Sequence, residues 1–184
     1  TDCAGLYGRT RGRRPAMEAE HGYLGRLPLP PAGVHDRSPE EVLRAAWIWG
    51  TLEIYAMGSG ICPRCSATVT TSLDVCDDHD PSDGLCDACE SAYAAHVTIT
   101  CTNCIFEGGG VAALALLGNT ALLAFLTDHG HNPIAPESIH ALHEIHGDYD
   151  EEVIQTDPLR VRFTFHTDGD SLSLTVDENL DVVG

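Results

Sequence analysis

A long amphipathic segment opens the patterned part of the chain. Ser38 can cap a helix, Pro39 suits its first turn, and Glu41 completes a capping box. The helix is expected to end near Met57, before the sequence Gly58-Ser-Gly60. Its apolar residues cover more than one face, which predicts that a second surface buries part of the helix. That surface is either the remainder of this chain or the same helix of a partner subunit.

The last third of the chain alternates between apolar and polar positions, as half-buried strands do. Residues 152–156 and 159–166 each predict a strand, and a third strand returns over residues 172–176. Asp168-Gly169 supplies the hairpin turn between the last two strands. The apolar residues of these two strands share one face: Val161, Phe163, Phe165, Leu172, Leu174 and Val176. The pattern therefore predicts a C-terminal β-hairpin or meander.

Two helices are expected ahead of this meander. Three consecutive glycines, Gly108–Gly110, predict a flexible joint, and the apolar run 111–117 predicts either a helical turn or a strand. Asn119 can cap a helix over residues 120–129. That helix is expected to bury four side chains: Leu122, Leu123, Phe125 and Leu126. A second helix is expected over residues 137–146, closed by Gly147.

Four ligand pairs between residues 62 and 104 organise the chain. Each pair has two residues between its members, which is a ligand spacing typical of structural zinc sites. The pairs supply seven thiols and one imidazole: Cys62 and Cys65, Cys76 and His79, Cys86 and Cys89, Cys101 and Cys104. Because a closed structural site takes four ligands, eight ligands predict two structural Zn²⁺ ions. A disulfide framework is less favoured, because tight CxxC pairs without a signal peptide are typical of metal sites.

The segments between the pairs indicate how the ligands are shared. Residues 66–75 and 90–100 predict two antiparallel strands, joined by a turn over residues 80–85. A ten-residue strand spans roughly 33 Å, so ligands at its two ends cannot share one metal ion unless the strand bends. The favoured arrangement is nested, with Cys62, Cys65, Cys101 and Cys104 in one site and Cys76, His79, Cys86 and Cys89 in the other. Sequential pairing, Cys62 to His79 and Cys86 to Cys104, stays open if each spacer folds as a tight hairpin.

These elements predict an α+β protein with an N-terminal helix, a zinc-ribbon-like antiparallel β module, two further helices and a C-terminal hairpin or meander. Residues 1–37 hold six of the ten arginines and a Pro-rich stretch, and they are interpreted as an irregular tail and linker, with Cys3 as a free thiol. The domain itself is expected over residues 38–184. Within it, the zinc module occupies residues 61–105 and the α/β remainder occupies residues 111–184.

The charge of the chain argues against independent nucleic-acid binding. It carries 28 acidic residues and ten arginines but no lysine, for a net charge of −18. From Ser38 onward, 24 acidic residues stand against four arginines, and such a surface repels phosphate backbones. The arginines at residues 9–14 are only a small basic footprint. The acidic, Lys-free composition is typical of halophilic archaea and favours a cytoplasmic protein, and no apolar stretch is long enough to span a membrane.

The sequence offers little for catalysis. All four ligand pairs can close around metal ions, and the chain contains no HExxH, GxSxG, Walker or GxGxxG pattern. We therefore predict that it is not an enzyme. A separate cluster, His140, His143 and His146, falls on one side of the helix expected over residues 137–146. This cluster could bind a transition metal or respond to pH, or it could be a solvated helix face.

The cysteine pattern resembles that of a known family. Cys62-Pro-Arg-Cys65, Val75-Cys-Asp-Asp-His79, Cys86-Asp-Ala-Cys89 and Cys101-Thr-Asn-Cys104, followed by residues 123–130 and 157–161, are similar to the C-terminal half of haloarchaeal ArsR-like winged helix-turn-helix regulators. The resemblance covers residues 38–184 and implies a zinc-stabilised domain of a transcription regulator. No winged-helix pattern precedes Ser38, so DNA binding is expected only through a domain absent from this chain.

Two functions of different class follow from these observations. The first is a regulatory, oligomerisation or effector-sensing domain of a haloarchaeal transcription regulator, in which zinc is structural. The second is a free-standing zinc-ribbon adaptor that binds another protein. In either case a second copy or a partner protein is expected to dock on the helix at residues 38–57. Trp47, Trp49 and Tyr55 give this helix more aromatic area than one buried stripe requires.

Overall fold

The structure, a computed structural model, describes residues 29–80, 85–137 and 149–183. Within these ranges, three α-helices and two three-stranded antiparallel sheets form an α+β fold, which confirms the predicted fold class. The helices are α1 (Pro39–Gly58), α2 (Ala112–Ala115) and α3 (Thr120–Asp128). The first sheet contains β1 (Val69–Val75), β2 (Ala95–Cys101) and β3 (Glu107–Val111). The second sheet contains β4 (Tyr149–Thr156), β5 (Leu159–Thr167) and β6 (Asp170–Val176).

Helix α1 begins with the capping box that the sequence predicts. The backbone N–H of Ser38 donates to Glu41 Oε2 at 2.7 Å, and the N–H of Glu41 donates to Ser38 Oγ at 3.3 Å. These two bonds satisfy donors that a helix start otherwise leaves unpaired. The inner face of the helix buries four residues: Ala46, Trp47, Gly50 and Thr51. The indole N–H of Trp47 donates to the carbonyl of Pro133 at 3.4 Å and so ties the helix to the chain that follows α3.

The first sheet is centred on β2, which pairs with β1 on one side and β3 on the other. Strands β1 and β2 run antiparallel from the pair Val69–Cys101 to the pair Val75–Ala95. Each has seven residues, fewer than the predicted spans 66–75 and 90–100, which would have run through Ser66 and Glu90. These residues have φ values of 62° and 54°, in the left-handed region, where a strand cannot continue.

Strand β3 corrects the prediction of a flexible joint at Gly108–Gly110. The three glycines pair with β2, with Gly109 opposite Thr98. A Cβ atom on Gly109 would lie 2.7 Å from the carbonyl oxygen of Val97, which is closer than real Cβ contacts. The glycines here permit a close approach of two backbones and do not form a hinge.

The second sheet is a meander, as predicted, in the order β4-β5-β6. Its β4 begins at Tyr149, three residues before the predicted start, and the turn Asp168-Gly169 has φ values of 50° and 86°. Two positive φ values are what a type I′ hairpin turn requires. The inward face is confirmed, since most of its apolar residues are buried: Val161, Phe163, Phe165, Leu174 and Val176. Leu172 is partly buried.

The main core lies between the meander, the first sheet and the helices. The apolar run after β3 takes the helical form, as α2 followed by a 3₁₀ turn over Leu116–Gly118. Asn119 caps α3 by accepting from the N–H groups of Ala121 and Leu122. Leu122 and Leu126 are buried as predicted, whereas Leu123 and Phe125 are only partly buried. No helix among the described residues is long and apolar enough to cross a membrane.

Several predictions fall outside the described residues. They concern most of the N-terminal tail with Cys3, the centre of the turn at residues 81–84, and the helix expected over residues 137–146. Ahead of α1, Leu29 is buried and Pro31–Val34 forms a short 3₁₀ helix. The domain boundary at residue 38 stays a prediction.

Candidate metal centres

The eight predicted ligands come together in two groups of four at opposite ends of the β1–β2 pair. One group contains Cys62, Cys65, Cys101 and Cys104, and the other contains Cys76, His79, Cys86 and Cys89. In each group, the ligand atoms all lie within 4.8 Å of one another. The structure therefore has the nested arrangement and not the sequential one. Across the described parts of the chain, no other set of three or more potential ligands gathers in this way.

The first group, called site 1, uses two turns that flank the end of the β1–β2 pair where Val69 lies opposite Cys101. Cys62 follows α1 closely, and its N–H donates to the carbonyl of Ala67 at 2.7 Å. Cys101 ends β2, and its N–H donates to the carbonyl of Phe106 at 3.0 Å. Both turns thus close with a bond from the first cysteine to the residue five positions later. The N–H groups of Asn103 and Cys104 each donate to the Cys101 sulfur at 3.3 Å, which holds that sulfur in place.

The second group, called site 2, joins the end of β1 to the approach to β2. The turn at Cys86 repeats the geometry of the turn at Cys62, because its N–H donates to the carbonyl of Ser91 at 3.0 Å. Cys76 is held differently, since its N–H donates to the carbonyl of Ala94 at 2.9 Å. His79 presents Nδ1 to the cluster, 3.5 Å from the sulfur of Cys89. Site 2 therefore combines three thiols with one imidazole.

The distances within both sites fit one tetrahedral metal ion each. With metal–sulfur bonds of about 2.3 Å, two sulfurs of a tetrahedron are about 3.8 Å apart, and a sulfur and a nitrogen are about 3.6 Å apart. The Cys62 and Cys104 sulfurs are 3.8 Å apart, and those of Cys65 and Cys101 are 3.5 Å apart. Thiolate-rich sets of this kind select soft or borderline transition metals over Mg²⁺ and Ca²⁺. Both sites can hold such an ion.

The thiols of the two sites differ in pKa, and therefore in how readily they form the thiolate that binds a cation. A hydrogen bond from the backbone of Asn103 lowers the pKa of Cys101 to about 6. A hydrogen bond from the backbone of Asp80 similarly lowers the pKa of Cys86 to about 6. Burial, together with the neighbouring thiols, raises the pKa of Cys89 to about 11. Each lowered thiol offers a ready thiolate near neutral pH, and a divalent cation would stabilise the remaining thiols in the same charged form.

A carboxylate that the sequence analysis did not single out lies beside site 2 and contacts the backbone next to it. Glu151, on β4, accepts hydrogen bonds through Oε1 from the N–H groups of Ala94 at 2.7 Å and Ala95 at 2.9 Å. Burial raises the pKa of Glu151, while the two amides and His79 lower it. Beside it, the rings of Tyr93 and Tyr149 stack with centroids 4.4 Å apart. No sequence pattern signals this contact, because it joins residues more than 50 positions apart.

The other histidines of the described residues are not among the potential ligands of these two sites. The predicted cluster at His140, His143 and His146 lies outside the described residues. His129 contacts Asp170, with 3.1 Å between Nε2 and Oδ2, and His131 Nε2 lies 2.9 Å from the hydroxyl of Thr167. Both histidines therefore tie the end of α3 to the β5–β6 hairpin.

Comparison with known proteins places the chain in a family and gives no functional relative. No curated protein and no solved structure matches the chain. One family model, described as "Domain of unknown function (DUF7351)", matches residues 17–182, which include both metal sites and both sheets. The match spans most of the 184 residues, and the chain therefore belongs to this DUF7351 family.

Proposed function

We propose that this chain is a regulatory and oligomerisation module of a transcription regulator, held together by two structural zinc ions. The observation that carries the proposal is an apolar stripe on the outer face of α1, the helix that leads into Cys62 of site 1. The resemblance of the cysteine pattern to haloarchaeal ArsR-like regulators supports the same function. In this proposal the chain forms the dimer and so sets the distance between two winged-helix domains, which are not part of this chain and make the DNA contacts.

Zinc is the ion that the ligand sets favour. Four-coordinate sets of Cys₄ and Cys₃His are typical of structural zinc, and a closed set leaves no position for water or substrate. We therefore propose a structural and not a catalytic role for both ions. Metal analysis of the folded, reduced chain is expected to give two zinc ions per chain. One ion or none would contradict the proposal.

The outer face of α1 carries the spacing of a helix-pairing seam. Its apolar residues recur at intervals of three and four: Val42, Ala45, Trp49, Leu52 and Ala56. Leu52 is 51% exposed and Trp49 is 43% exposed, although both are large and apolar. The residues on the opposite face of the helix pack into the core. A 3-4 repeat is the spacing with which one helix packs along another, so we propose that α1 of a second copy covers this stripe.

Light scattering tests the seam. Leu52→Glu is expected to convert a dimer into a monomer, because it places a charge at the centre of the proposed interface. Ile154→Glu is the matched control, since Ile154 is also apolar and 42% exposed but lies on β4. If the unmodified chain is monomeric at micromolar concentration, the free-standing adaptor becomes the better account of the stripe. A dimer that Leu52→Glu leaves intact would place the interface elsewhere.

The acidic charge supports the second half of the proposal, that this chain alone does not bind DNA. A surface with a net charge of −18 opposes the phosphate contacts that supply most of the affinity for duplex DNA. A gel shift at moderate salt is expected to show no complex. A stable complex would contradict the regulator-module proposal and favour a nucleic-acid-binding zinc protein.

The same charge supports an origin in a halophilic archaeon. Carboxylates at this density repel one another, and salt screens the repulsion. Thermal unfolding midpoints are expected to rise between low and molar KCl. Equal midpoints would count against the halophilic origin and leave the zinc and dimer proposals standing.

A further inference from the structure

Among the described residues, the contacts around site 2 continue to the C-terminal meander, whereas the hydrogen bonds of site 1 stay within the first sheet and its turns. Three of the four ligands of site 2 bond to the short segment between Cys89 and β2, among them Cys86, whose N–H donates to the carbonyl of Ser91 at 3.0 Å. The N–H of Cys76 donates to the carbonyl of Ala94 at 2.9 Å, and the sulfur of Cys89 lies 3.9 Å from the carbonyl of Tyr93. Any displacement of this segment therefore moves the ligands.

The meander holds this segment from the other side. Tyr149 of β4 stacks on Tyr93 with the ring planes 16° apart, and Glu151 of β4 accepts from the N–H groups of Ala94 and Ala95. The Ala95 N–H and the Ala94 carbonyl belong to the same peptide group. One peptide unit thus receives a bond from ligand Cys76 on one edge and gives a bond to Glu151 on the other.

Glu151 also has an unused oxygen. Its Oε2 is buried and has no hydrogen-bond partner among the described residues. His79 lies close enough to interact electrostatically with the carboxylate. Since Nδ1 of His79 faces the sulfur of Cys89, its other ring nitrogen is left to donate. A metal-ligating histidine usually donates its second N–H to a carboxylate, which fixes the ring and strengthens the metal bond.

We propose that, once a metal ion is bound at site 2, Oε2 of Glu151 accepts from His79 while Oε1 keeps its bonds from the N–H groups of Ala94 and Ala95, so that metal binding and docking of the meander stabilise each other. The inference rests on the metal-binding part of the proposed function and adds a regulatory role for one site. In this proposal, a metal ion in site 2 stabilises the docking of the second sheet, whereas a metal ion in site 1 only cross-links the first sheet.

The test compares Glu151→Gln with Glu152→Gln in the full chain. The neighbouring Glu152 lies on the opposite face of β4 and pairs with Arg162 at 2.8 Å, so it controls for loss of charge on the same strand. Glutamine at residue 151 can still accept from the two amides but presents no carboxylate to His79. Native mass spectrometry during titration with a chelator counts zinc ions per chain. Hydrogen exchange of residues 76–89 identifies the site that empties.

We expect Glu151→Gln to release one zinc ion at about 10- to 100-fold lower chelator concentration, from site 2 alone, with Glu152→Gln unchanged. If both variants and the unmodified chain release zinc together, the coupling is overturned and the two-zinc proposal stands. Fewer than two zinc ions in the unmodified chain overturns both. A second measurement needs no variant: emptying site 2 of the unmodified chain is expected to speed exchange in β4. Unchanged exchange there also overturns the coupling.

Discussion

The two sheets of this protein are of similar size but are stabilised by different means. The β4–β6 meander buries five apolar side chains on one face, among them Phe163 and Val161 at 0% exposure. The β1–β3 sheet divides its buried side chains: Leu73 and Ala95 join the main core, whereas Val69, Val97 and Ile99 form a smaller cluster with two of the potential ligands, Cys62 and Cys101. The buried side chains of this sheet are smaller than the phenylalanines of the meander, and we expect metal ions at sites 1 and 2 to supply additional cross-links.

The two means are of similar energetic size. Fully burying one large apolar side chain contributes about 1.5–3 kcal/mol, so the five of the meander contribute roughly 7–15 kcal/mol before the loss of conformational entropy. A structural zinc ion contributes on the order of 10–16 kcal/mol in small modules. Metal ions at its two sites would therefore stabilise the first sheet by at least as much as its smaller buried side chains do. The comparison predicts that each sheet fails under a different treatment.

The largest expected effect is that of metal removal. Chelation under reducing conditions is expected to abolish protection from hydrogen exchange in β1–β3, because the loss of two sites removes on the order of 10 kcal/mol or more. The β5–β6 hairpin serves as the internal control and should keep most of its protection, since its face is apolar. Equal loss in both hairpins, or no loss in either, would contradict the division between the sheets.

A cavity in the core face of the meander is expected to lower the stability of the fold without releasing metal ions. Phe163→Ala is expected to lower the free energy of unfolding by about 3–5 kcal/mol while the chain keeps two metal ions. Thr164→Ala is the neighbouring control on the outer face, where it removes one hydroxyl contact to Ser173 at 3.0 Å and should cost about 1 kcal/mol or less. Denaturant unfolding with metal present measures both. Loss of metal from the folded Phe163→Ala variant would show that the two sheets do not fail separately.

The smallest expected effect concerns how each sheet uses histidine. His79 is a potential metal ligand of site 2, whereas His129 bridges α3 to the meander through Phe125 and Asp170. The Phe125 carbonyl, then Asp170, raise the pKa of His129, and Asp168 adds to this. Both ring nitrogens face acceptors, so the bridge favours the protonated ring. Its stabilisation is fully present below the unfolded pKa of about 6.5 and is lost as pH rises through the higher folded pKa.

Nuclear magnetic resonance titration of the His129 ring measures this pKa directly. In Asp170→Asn the pKa is expected to fall toward its ordinary value, and in the control Asp168→Asn it should fall less. An unperturbed pKa in the unmodified chain would remove His129 from the account of how the meander is held.

The sequence was most informative where one residue type has few uses. Seven cysteines at fixed spacing identified all eight ligand positions, and strict alternation identified the buried face of β5. The residues favoured nested over sequential pairing, because strands between the pairs keep their ends apart, and the structure has the nested groups. Ser38 and Glu41 predicted the helix start for the same reason, since their side chains complete a local hydrogen-bond pattern.

Predictions from the sequence failed where a contact with a residue distant in the chain determines the structure, or where a residue type can adopt several backbone conformations. Gly108–Gly110 could form a hinge or a close-packed strand, and only the backbone of β2 decides between them. The ends of the strands depend on the left-handed residues Ser66 and Glu90, neither of which is a type that signals such a turn. Glu151 was missed because a glutamate on a strand usually faces solvent, and its partners lie more than 50 residues away.

The nesting of the two sites has a consequence for the order in which the chain assembles. Site 2 closes a loop of 14 residues from Cys76 to Cys89, whereas site 1 closes one of 43 residues from Cys62 to Cys104. The entropy of closure favours the inner loop by about 1 kcal/mol. Once it is closed, β1 and β2 start in register, and pairing can proceed outward one residue at a time. Each residue pair that forms shortens the part of the loop that is still unpaired. The cysteines of site 1 are therefore expected to come together last, with little loop-closure entropy left to lose.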